Sequence, residues 1–256
     1  MPFVLAAFAN RRPHGKNCLD SFSEMENKTI NIGVVKKIAI ALKDLRERVA
    51  FVGGAVISLY TDDPAADELR PTKDIDLSVT LENYSAWVKL QDELTKLQFL
   101  PDTSSSVICR FLYDDITVDI MPDDEQVLGF SNPWYKPALQ NMQEYLLQDG
   151  PTINIFSLPY FLATKFSAFN GRGKGDNRGS HDFEDIIYLT DNCIGIVASI
   201  QNTDADVQQF LLEEYRKIWT HPYRTEIISC HLSPLIRDAR YNVIERKIES
   251  IIALEK

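Results

Sequence analysis

The stretch FVGGAVISLY, residues 51–60, decides the fold because two adjacent glycines interrupt its apolar run. Glycine inside a regular element is destabilising by roughly 0.5–1 kcal/mol relative to alanine, so Gly53 and Gly54 imply a special backbone geometry or a close approach to the backbone. The letters before them, RVAF, predict a short buried strand, and AVISLY predicts one or two helical turns. The local pattern is therefore strand, glycine turn, helix.

The segments on either side extend this α/β pattern. Upstream, apolar residues recur at helical spacing and predict an amphipathic helix that begins near Ile32. Downstream, DIDLSV predicts a second strand, and SAWVKLQDELTKLQFL predicts a helix. Two β-rich runs, SVICRFLY and ITVDIM, then flank Asp114-Asp115, which predicts a hairpin with a two-residue connection.

The chain becomes mainly helical after Pro137. A short strand, INIF, precedes helical patterns near residues 158–169, 182–192, 205–218 and 233–254. We therefore expect an α+β fold, with a short mixed sheet and flanking helices in a core over 25–150 and a helical region over 151–256. Residues 1–24 lack any period, which predicts a disordered tail or a start assigned too far upstream of Met25.

Composition limits the function classes. The chain has 256 residues, of which 45% are apolar, so it can bury a substantial core. Its net charge of −10 disfavours a broad nucleic-acid-coating surface, although a local basic pocket is compatible with it. Four cysteines without zinc-ligand spacing and the lack of a long apolar segment predict a soluble, cytoplasmic protein with no membrane partner.

Three aspartates carry the strongest chemical signal. Asp74 and Asp76 are two residues apart on a predicted strand, so their side chains point to the same face. Asp119 lies within the apolar run ITVDIM, where an unpaired charge is costly. If these strands are neighbours, the three carboxylates lie close together and form a set of oxygen-only ligands. Mg²⁺ prefers such ligands, and Mn²⁺ is an alternative ion. Asp-x-Asp alone is common at solvated strand ends, so the prediction depends on the ordered set.

The glycine pair fits the same chemistry. A strand that ends in Gly53-Gly54 and leads into a helix presents free backbone N–H groups and the positive helix end to a phosphate. A metal-dependent reaction on a phosphate is therefore predicted.

The ordered motifs resemble the AbiEii-type toxin nucleotidyltransferases, which have a polymerase-β-like nucleotidyltransferase fold. The resemblance extends over roughly residues 30–192 and includes the glycine turn, the element RPTKDIDL, the strand ITVDI and two later helices. It implies that Asp74, Asp76 and Asp119 are catalytic and metal-binding. It also implies nucleotide-binding roles for Gly53, Gly54, Arg70, Thr72, Lys165 and Asp182, with Asp185 one turn further along.

The resemblance implies a magnesium-dependent transfer of a nucleoside monophosphate from a nucleoside triphosphate such as ATP or GTP to an acceptor hydroxyl. Asp74 and Asp76 would hold metal on the triphosphate, and Asp119 would complete a second metal site or help to deprotonate the acceptor. An RNA 3′ end, particularly that of tRNA, is the implied acceptor, with a cognate antitoxin as partner in a toxin–antitoxin or abortive-infection system. A protein hydroxyl or a small molecule is equally compatible with these residues.

Some residues depart from the family pattern or have simpler explanations. Gly54 stands where many relatives of the wider fold have serine, and His181 precedes Asp182 where the family has a basic residue, so we expect His181 to be a helix residue. The glycine-rich segment 170–179 carries Arg172, Lys174 and Arg178. It is a linker on the simpler interpretation and a clamp on phosphate or RNA on the functional one.

Two other functions fit part of the pattern. A GT-A glycosyltransferase also uses Asp-x-Asp on a metal-bound nucleotide diphosphate, but it requires neither the glycine turn nor the third aspartate. A non-catalytic module of the same fold would bind nucleotide or a partner, and the presence of all three aspartates argues against it.

Overall fold

The computed structural model describes residues 31–67, 69–72, 74–173 and 175–255. Within them the chain forms one seven-stranded mixed sheet with the order β3-β4-β5-β2-β1-β7-β6. The strands are β1 (Val49–Val52), β2 (Asp74–Val79), β3 (Leu100–Pro101), β4 (Arg110–Tyr113), β5 (Ile116–Pro122), β6 (Met142–Leu146) and β7 (Thr152–Phe156). The predicted tail 1–24 and the predicted start at Met25 lie outside the described residues.

The helices precede, interrupt and follow the sheet. Residues 31–41 form α1, and two 3-10 helices span Lys43–Arg48 and Gly54–Leu59. The other helices are α2 (Tyr84–Lys96), α3 (Glu125–Leu128), α4 (Tyr135–Gln140), α5 (Leu158–Arg172), α6 (His181–Asn192), α7 (Ile196–Gln201), α8 (Ala205–Trp219), α9 (Arg224–Ser229) and α10 (Arg237–Ile252).

The predicted α+β class is confirmed, as are the predicted long elements. Helix α2 begins at the N-cap Asn83, whose side chain accepts a hydrogen bond from the Ala86 N–H, and it buries Trp87, Leu90 and Leu94 as its periodicity predicts. The segment after the glycine pair is a 3-10 helix of six residues. Strands β3 and β6 and the short helices α3, α4, α7 and α9 were not predicted.

Strand β2 lies at the centre of the sheet and has two chemically different faces. It pairs antiparallel with β1 and parallel with β5. Ile75, Leu77 and Val79 are buried in the hydrophobic core, whereas Asp74 and Asp76 alternate with them on the opposite face and are only partly buried. The alternation fixes which face of the sheet carries the carboxylates.

The C-terminal helices and the sheet share one hydrophobic core. Strand β7 lies between β1 and β6, so the sheet extends to Phe156, a few residues past the predicted core boundary at residue 150. Helix α5 packs against α6, α7 and α8, and one hydrophobic cluster includes both parts of the chain. The division into a core and a separate helical region stays a prediction.

Arg240 on α10 joins three parts of the molecule. Its guanidinium lies 2.8 Å from the Asp191 carboxylate at the end of α6, 2.7 Å from Asp63 and 2.7 Å from the Asn192 side-chain oxygen. Only 12% of the Arg240 side chain and 7% of that of Asp191 are exposed. Lys247, about two turns further along α10, donates to the Asp191 backbone oxygen at 2.7 Å. The C-terminal helix is therefore held by a nearly buried ion pair.

Replacing Arg240 by leucine should destabilise the protein by about 3–5 kcal/mol, because the substitution leaves the Asp191 carboxylate buried without its partner. The free energy of unfolding from urea titration measures this effect. Arg246→Leu is the matched control, since Arg246 lies exposed on the same helix and, among the described residues, donates only to the Asn242 backbone oxygen. Equal unfolding midpoints for the two variants would contradict the assigned role of Arg240.

Candidate active site

The strand register brings the predicted carboxylates together. In the parallel pairing of β2 with β5, Asp76 lies directly beside Asp119, and Asp74 lies beside Thr117. All three aspartates therefore share one face of the sheet, as the sequence predicts. Their environments differ, because 42% of the Asp74 side chain is exposed and only 12% of that of Asp119.

The glycine pair is explained by close packing on the strand next to it. Gly53 has φ +71°, and a Cβ built there would lie 1.9 Å from Oδ2 of Asp76. A Cβ on Gly54 would lie 2.6 Å from the Thr72 Cγ2. Glycine is therefore required at position 53 on two grounds, a left-handed backbone and a carboxylate seated against the chain. The close approach to the backbone that the glycine pair implies is thus made at Gly53 by the Asp76 carboxylate, and the predicted phosphate contact stays a prediction.

The environment of Asp76 disfavours the charged form of its carboxyl group. Burial, reinforced by the neighbouring charge of Asp74, raises the pKa of the Asp76 carboxyl from 3.8 to about 7. The positive charge of Lys165 opposes this shift, and the charge of Asp119 adds to it. Among the described residues, the Asp76 carboxylate makes neither a hydrogen bond nor an ion pair. A cation beside Asp76 would thus remove an unfavourable charge interaction.

Asp119 already has a cationic partner. Arg110 on β4 is its direct cross-strand neighbour and donates from Nε to Oδ1 at 2.8 Å and from Nη2 to Oδ2 at 2.7 Å. The same Nη2 lies 4.0 Å from Oδ2 of Asp74. A bidentate guanidinium therefore engages both Asp119 oxygens, and the predicted metal-binding role of Asp119 stays a prediction.

A cavity of about 420 Å³ opens beside these carboxylates. Asp76 and Gly53 line it, as do Lys165, Arg172 and Asp182. Volumes of this size are ordinary for small-molecule sites. The structure thus brings four predicted site residues, Gly53, Asp76, Lys165 and Asp182, to one cavity, together with Arg172. A second cavity of about 460 Å³ lies elsewhere, beside Tyr160 and Asp204, and contains none of the predicted residues.

Lys165 lies buried in α5 between two carboxylates of α6. Its Nζ is 2.7 Å from Oδ2 of Asp185 and 3.5 Å from Oδ1 of Asp182. Burial by itself lowers the pKa of the Lys165 ammonium, but Asp185 and Asp182 outweigh burial and hold the pKa above its ordinary value. The ammonium is therefore a buried, fixed positive charge at the cavity.

Arg172 extends this charge network to the end of α5. Its guanidinium donates to both Asp182 oxygens at 2.8 and 2.9 Å, while 75% of its side chain is exposed. Burial alone would raise the pKa of the Asp182 carboxyl, but Arg172 and Lys165 hold it below its ordinary value. Asp182 therefore contacts both cations, Arg172 and Lys165, and positions them at the cavity.

Arg70 and Thr72 lie behind the glycine turn and do not line this cavity among the described residues. Arg70 donates to Glu184 at 3.1 Å and to Asp185 at 3.3 Å. The Thr72 N–H donates to the Asn31 side-chain oxygen at 3.2 Å. These contacts hold the loop before β2 against α1 and α6, and the predicted nucleotide contacts of Arg70, Thr72 and Gly54 stay predictions.

The remaining basic residues are paired or exposed. Arg178 donates to the Glu226 carboxylate at 2.7 Å, and Lys174 lies outside the described residues. His181 is the first residue of α6 and lies exposed 3.1 Å from Glu184, which agrees with its interpretation as a helix residue. The sequence predicted a glycine-rich segment, either a linker or a clamp, that includes Arg172, whereas the structure places Arg172 on the last turn of α5.

The donor set at the sheet suits a divalent cation at two of its three carboxylates. Asp74 and Asp76 offer oxygen ligands on one face, and the raised pKa of Asp76 favours a nearby positive charge. Asp119 does not fit as readily, because Arg110 is bound to it. Across the part of the chain that the structure describes, no group of three or more His, Cys, Asp or Glu side chains is arranged to hold a metal ion.

Comparison with known proteins gives the family. The profile of the family described as nucleotidyl transferase AbiEii toxin, type IV toxin–antitoxin system, matches residues 38–250. The chain belongs to the AbiEii nucleotidyltransferase toxin family. The match covers the glycine turn, all three aspartates and the Lys165 network, and it supports a transferase of nucleotidyl groups with an antitoxin as a partner class.

Other comparisons add little to this assignment. A crystal structure of an antigenic nucleotidyltransferase-like protein from Paracoccidioides brasiliensis is similar at 18% identity, with a TM-score of 0.47. The similarity covers 78% of this chain and 92% of that one. None of the curated proteins matches the chain. In the described residues, no helix is long and apolar enough to span a membrane.

Gly53→Ala should lower the melting temperature by several degrees and distort the site, because the new Cβ overlaps the Asp76 carboxylate and a positive φ costs about 1–2 kcal/mol for alanine. Differential scanning fluorimetry measures the shift. Gly33→Ala is the matched control, since a Cβ there meets no atom within 4 Å. Equal melting temperatures for the two variants would show that Gly53 is an ordinary turn residue.

Asp76→Asn should stabilise the metal-free protein at pH 8. Because folding raises the Asp76 pKa from 3.8 to about 7, the folded state binds this proton more tightly, and the free energy of unfolding falls as pH rises through that interval. The variant removes that loss, so we expect a gain of about 1 kcal/mol after allowance for solvent screening, or roughly 2–4 °C.

Melting curves at pH 4 and pH 8 in EDTA test this expectation. The difference between Asp76→Asn and wild type should shrink towards pH 4, where the wild-type carboxyl is protonated in the folded state. Asp92→Asn, on the exposed side of α2, is the control. A gain that is the same at both pH values would mean that ionisation of Asp76 is not its cause.

Proposed function

We propose that the protein is a magnesium-dependent nucleotidyltransferase that moves a nucleoside monophosphate from a nucleoside triphosphate to an acceptor hydroxyl, as the toxin of a toxin–antitoxin system. The observation that carries the proposal is that the Asp76 carboxylate and two oriented cations, Lys165 and Arg172, line one cavity. Asp76 lines the cavity, and with Asp74 on the same face of the sheet it forms an anionic edge. Lys165 and Arg172 line the cavity as a cationic wall whose charge is offset by Asp182 and Asp185 behind it. A metal-bound triphosphate has the complementary arrangement of charges.

The cationic wall is suited to the triphosphate. Lys165 is fixed by Asp182 and Asp185, and Arg172 is fixed by Asp182, so the two cations are oriented before any ligand binds. Preorganised charge of this kind is usually the largest catalytic contribution. Lys165 and Arg172 would neutralise charge on the phosphates, including that which develops on the leaving pyrophosphate.

The anionic edge supplies the metal ligands. Asp74 and Asp76 would hold Mg²⁺, or Mn²⁺ in its place, beside the α-phosphate. When bound, the ion would neutralise the phosphate oxygens and align the in-line displacement. The Asp76 carboxylate is held against Gly53, which keeps it in the cavity, and its unpaired negative charge is the feature that favours the cation.

The acceptor is proposed from the family rather than from the cavity. An RNA 3′ end, in particular that of tRNA, is the acceptor class that we propose, with growth arrest as the outcome and a cognate antitoxin as the partner. The net charge of −10 restricts RNA contact to a local basic group, and the exposed Arg172 and Arg178, each paired with one carboxylate, are the candidates that we propose. The proposed site of action is the cytoplasm.

Asp74→Ala and Asp76→Ala should each lower nucleotidyl transfer by several orders of magnitude while leaving the fold intact, because each removes a metal ligand. Lys165→Met should raise the KM for the triphosphate, and it should also destabilise the fold because it leaves the Asp185 carboxylate buried without this partner. The assay incubates each α-³²P-labelled triphosphate with Mg²⁺ and total RNA or lysate, and measures the label in each fraction. Asp92→Ala and Lys96→Met, both exposed on α2, are matched controls.

The same assay separates the rival functions. Label in protein or in a small metabolite, instead of RNA, would reassign the acceptor while keeping the reaction. If a labelled nucleotide-sugar donates its sugar and no α-phosphate label moves, the protein is a glycosyltransferase. If nothing transfers, and the nucleotide nevertheless shifts the melting temperature, a non-catalytic nucleotide-binding module becomes the better description.

A further inference from the structure

Arg110 is the strongest feature near the site that the proposed function leaves unexplained. Its guanidinium makes two parallel hydrogen bonds to Asp119, at 2.8 and 2.7 Å, and lies 4.0 Å from Asp74. Arg110 is thus bound to Asp119, the third carboxylate, where a second metal ion would have to bind.

The main chain fixes Arg110 in this place. Strands β4 and β5 form an antiparallel hairpin in which Arg110 and Asp119 are direct neighbours. The Arg110 backbone is held as well, since its N–H donates to the Val107 oxygen at 3.2 Å and its own oxygen accepts from Asp102 at 3.0 Å. The ion pair is therefore built into the sheet and does not depend on a mobile loop.

Burial keeps the pair closed. Only 12% of the Asp119 side chain and 27% of that of Arg110 are exposed. A planar guanidinium matches a carboxylate in this bidentate geometry, and opening the pair would leave Asp119 nearly buried and uncompensated. Both Asp119 oxygens accept from Arg110, so neither is disposed to take a proton from an acceptor hydroxyl.

The charges then match a single divalent ion. The guanidinium neutralises Asp119, which leaves the two negative charges of Asp74 and Asp76 for one metal. We infer that Arg110 takes the place of a second metal ion, so that Asp74 and Asp76 bind one divalent cation and Asp119 acts as a positioning residue for Arg110. This inference rests on the proposed function, because it concerns the ion that accompanies the triphosphate.

Electron paramagnetic resonance of Mn²⁺ tests the number of ions directly. The full chain is mixed with Mn²⁺ and, in turn, with each of the four α,β-methylene nucleoside triphosphates, which cannot transfer a nucleotidyl group. Two ions in one active site lie about 3.5–4 Å apart and give a spin-coupled spectrum, whereas one ion gives an isolated spectrum. We expect the isolated spectrum for wild type and for Asp119→Asn.

Arg110→Gln should open the third carboxylate and produce the coupled spectrum, and adding Asp119→Asn to it should restore the isolated one. Arg48→Gln is the matched control, because Arg48 forms an exposed ion pair with Glu93 on the surface. A coupled spectrum in wild type that Asp119→Asn abolishes would overturn the inference. That comparison decides the question even if Arg110→Gln fails to fold.

The outcomes also separate this inference from the proposed function. A coupled wild-type spectrum together with normal nucleotidyl transfer would overturn the role of Arg110 alone. If the protein does not bind Mn²⁺ with any of the four analogues and transfers no label from any triphosphate, the proposed function and the inference both fail.

Discussion

The register of β2 is the constraint on which the rest of the site depends. Its parallel pairing aligns Asp76 with Asp119 on β5, and its antiparallel pairing aligns Asp76 with Val52 on β1, one residue before Gly53. Leu77 is fully buried on the other face, so a slip of one residue would exchange core and carboxylate positions. The hydrophobic core thereby fixes the positions of the charged groups.

Placing carboxylates side by side requires compensation, and each aspartate obtains it differently. Asp119 is nearly buried and paired with Arg110, whereas Asp74 is the most exposed of the three. Asp76 has neither a cationic partner among the described residues nor the exposure of Asp74, and it keeps a raised pKa at the edge of the cavity. Of the three sheet aspartates, the unfavourable energy is thus concentrated on Asp76, which lines the cavity, where a ligand can relieve it.

The long elements were predictable from the sequence because each is long enough for its apolar residues to repeat at the spacing of a helix or a strand. Strand β6 was missed because Gln143 and Glu144 are exposed on an edge strand and carry no alternating pattern into the core. The helices of four to six residues were missed because they are too short to show a 3.6-residue repeat. The glycine pair was located correctly, but its close packing on Asp76 depends on the neighbouring strand, which no local pattern contains.

The candidate site was predicted better in its residues than in their pairing. Asp74, Asp76 and Asp119 share a face as expected, but the sequence analysis considered only what the carboxylates attract from solvent. It overlooked the cross-strand neighbour that a hairpin necessarily provides.

The predicted two-residue connection Asp114-Asp115 already contained that information. In such a hairpin, residues equally distant from the connection face each other, and Arg110 precedes Asp114 by as many residues as Asp119 follows Asp115. The hairpin that brings Asp119 to the site on β5 therefore brings the Arg110 guanidinium to it on β4. Because the two groups arrive on one hairpin, the charge available to a metal at this sheet is set by the pair and not by Asp119 alone.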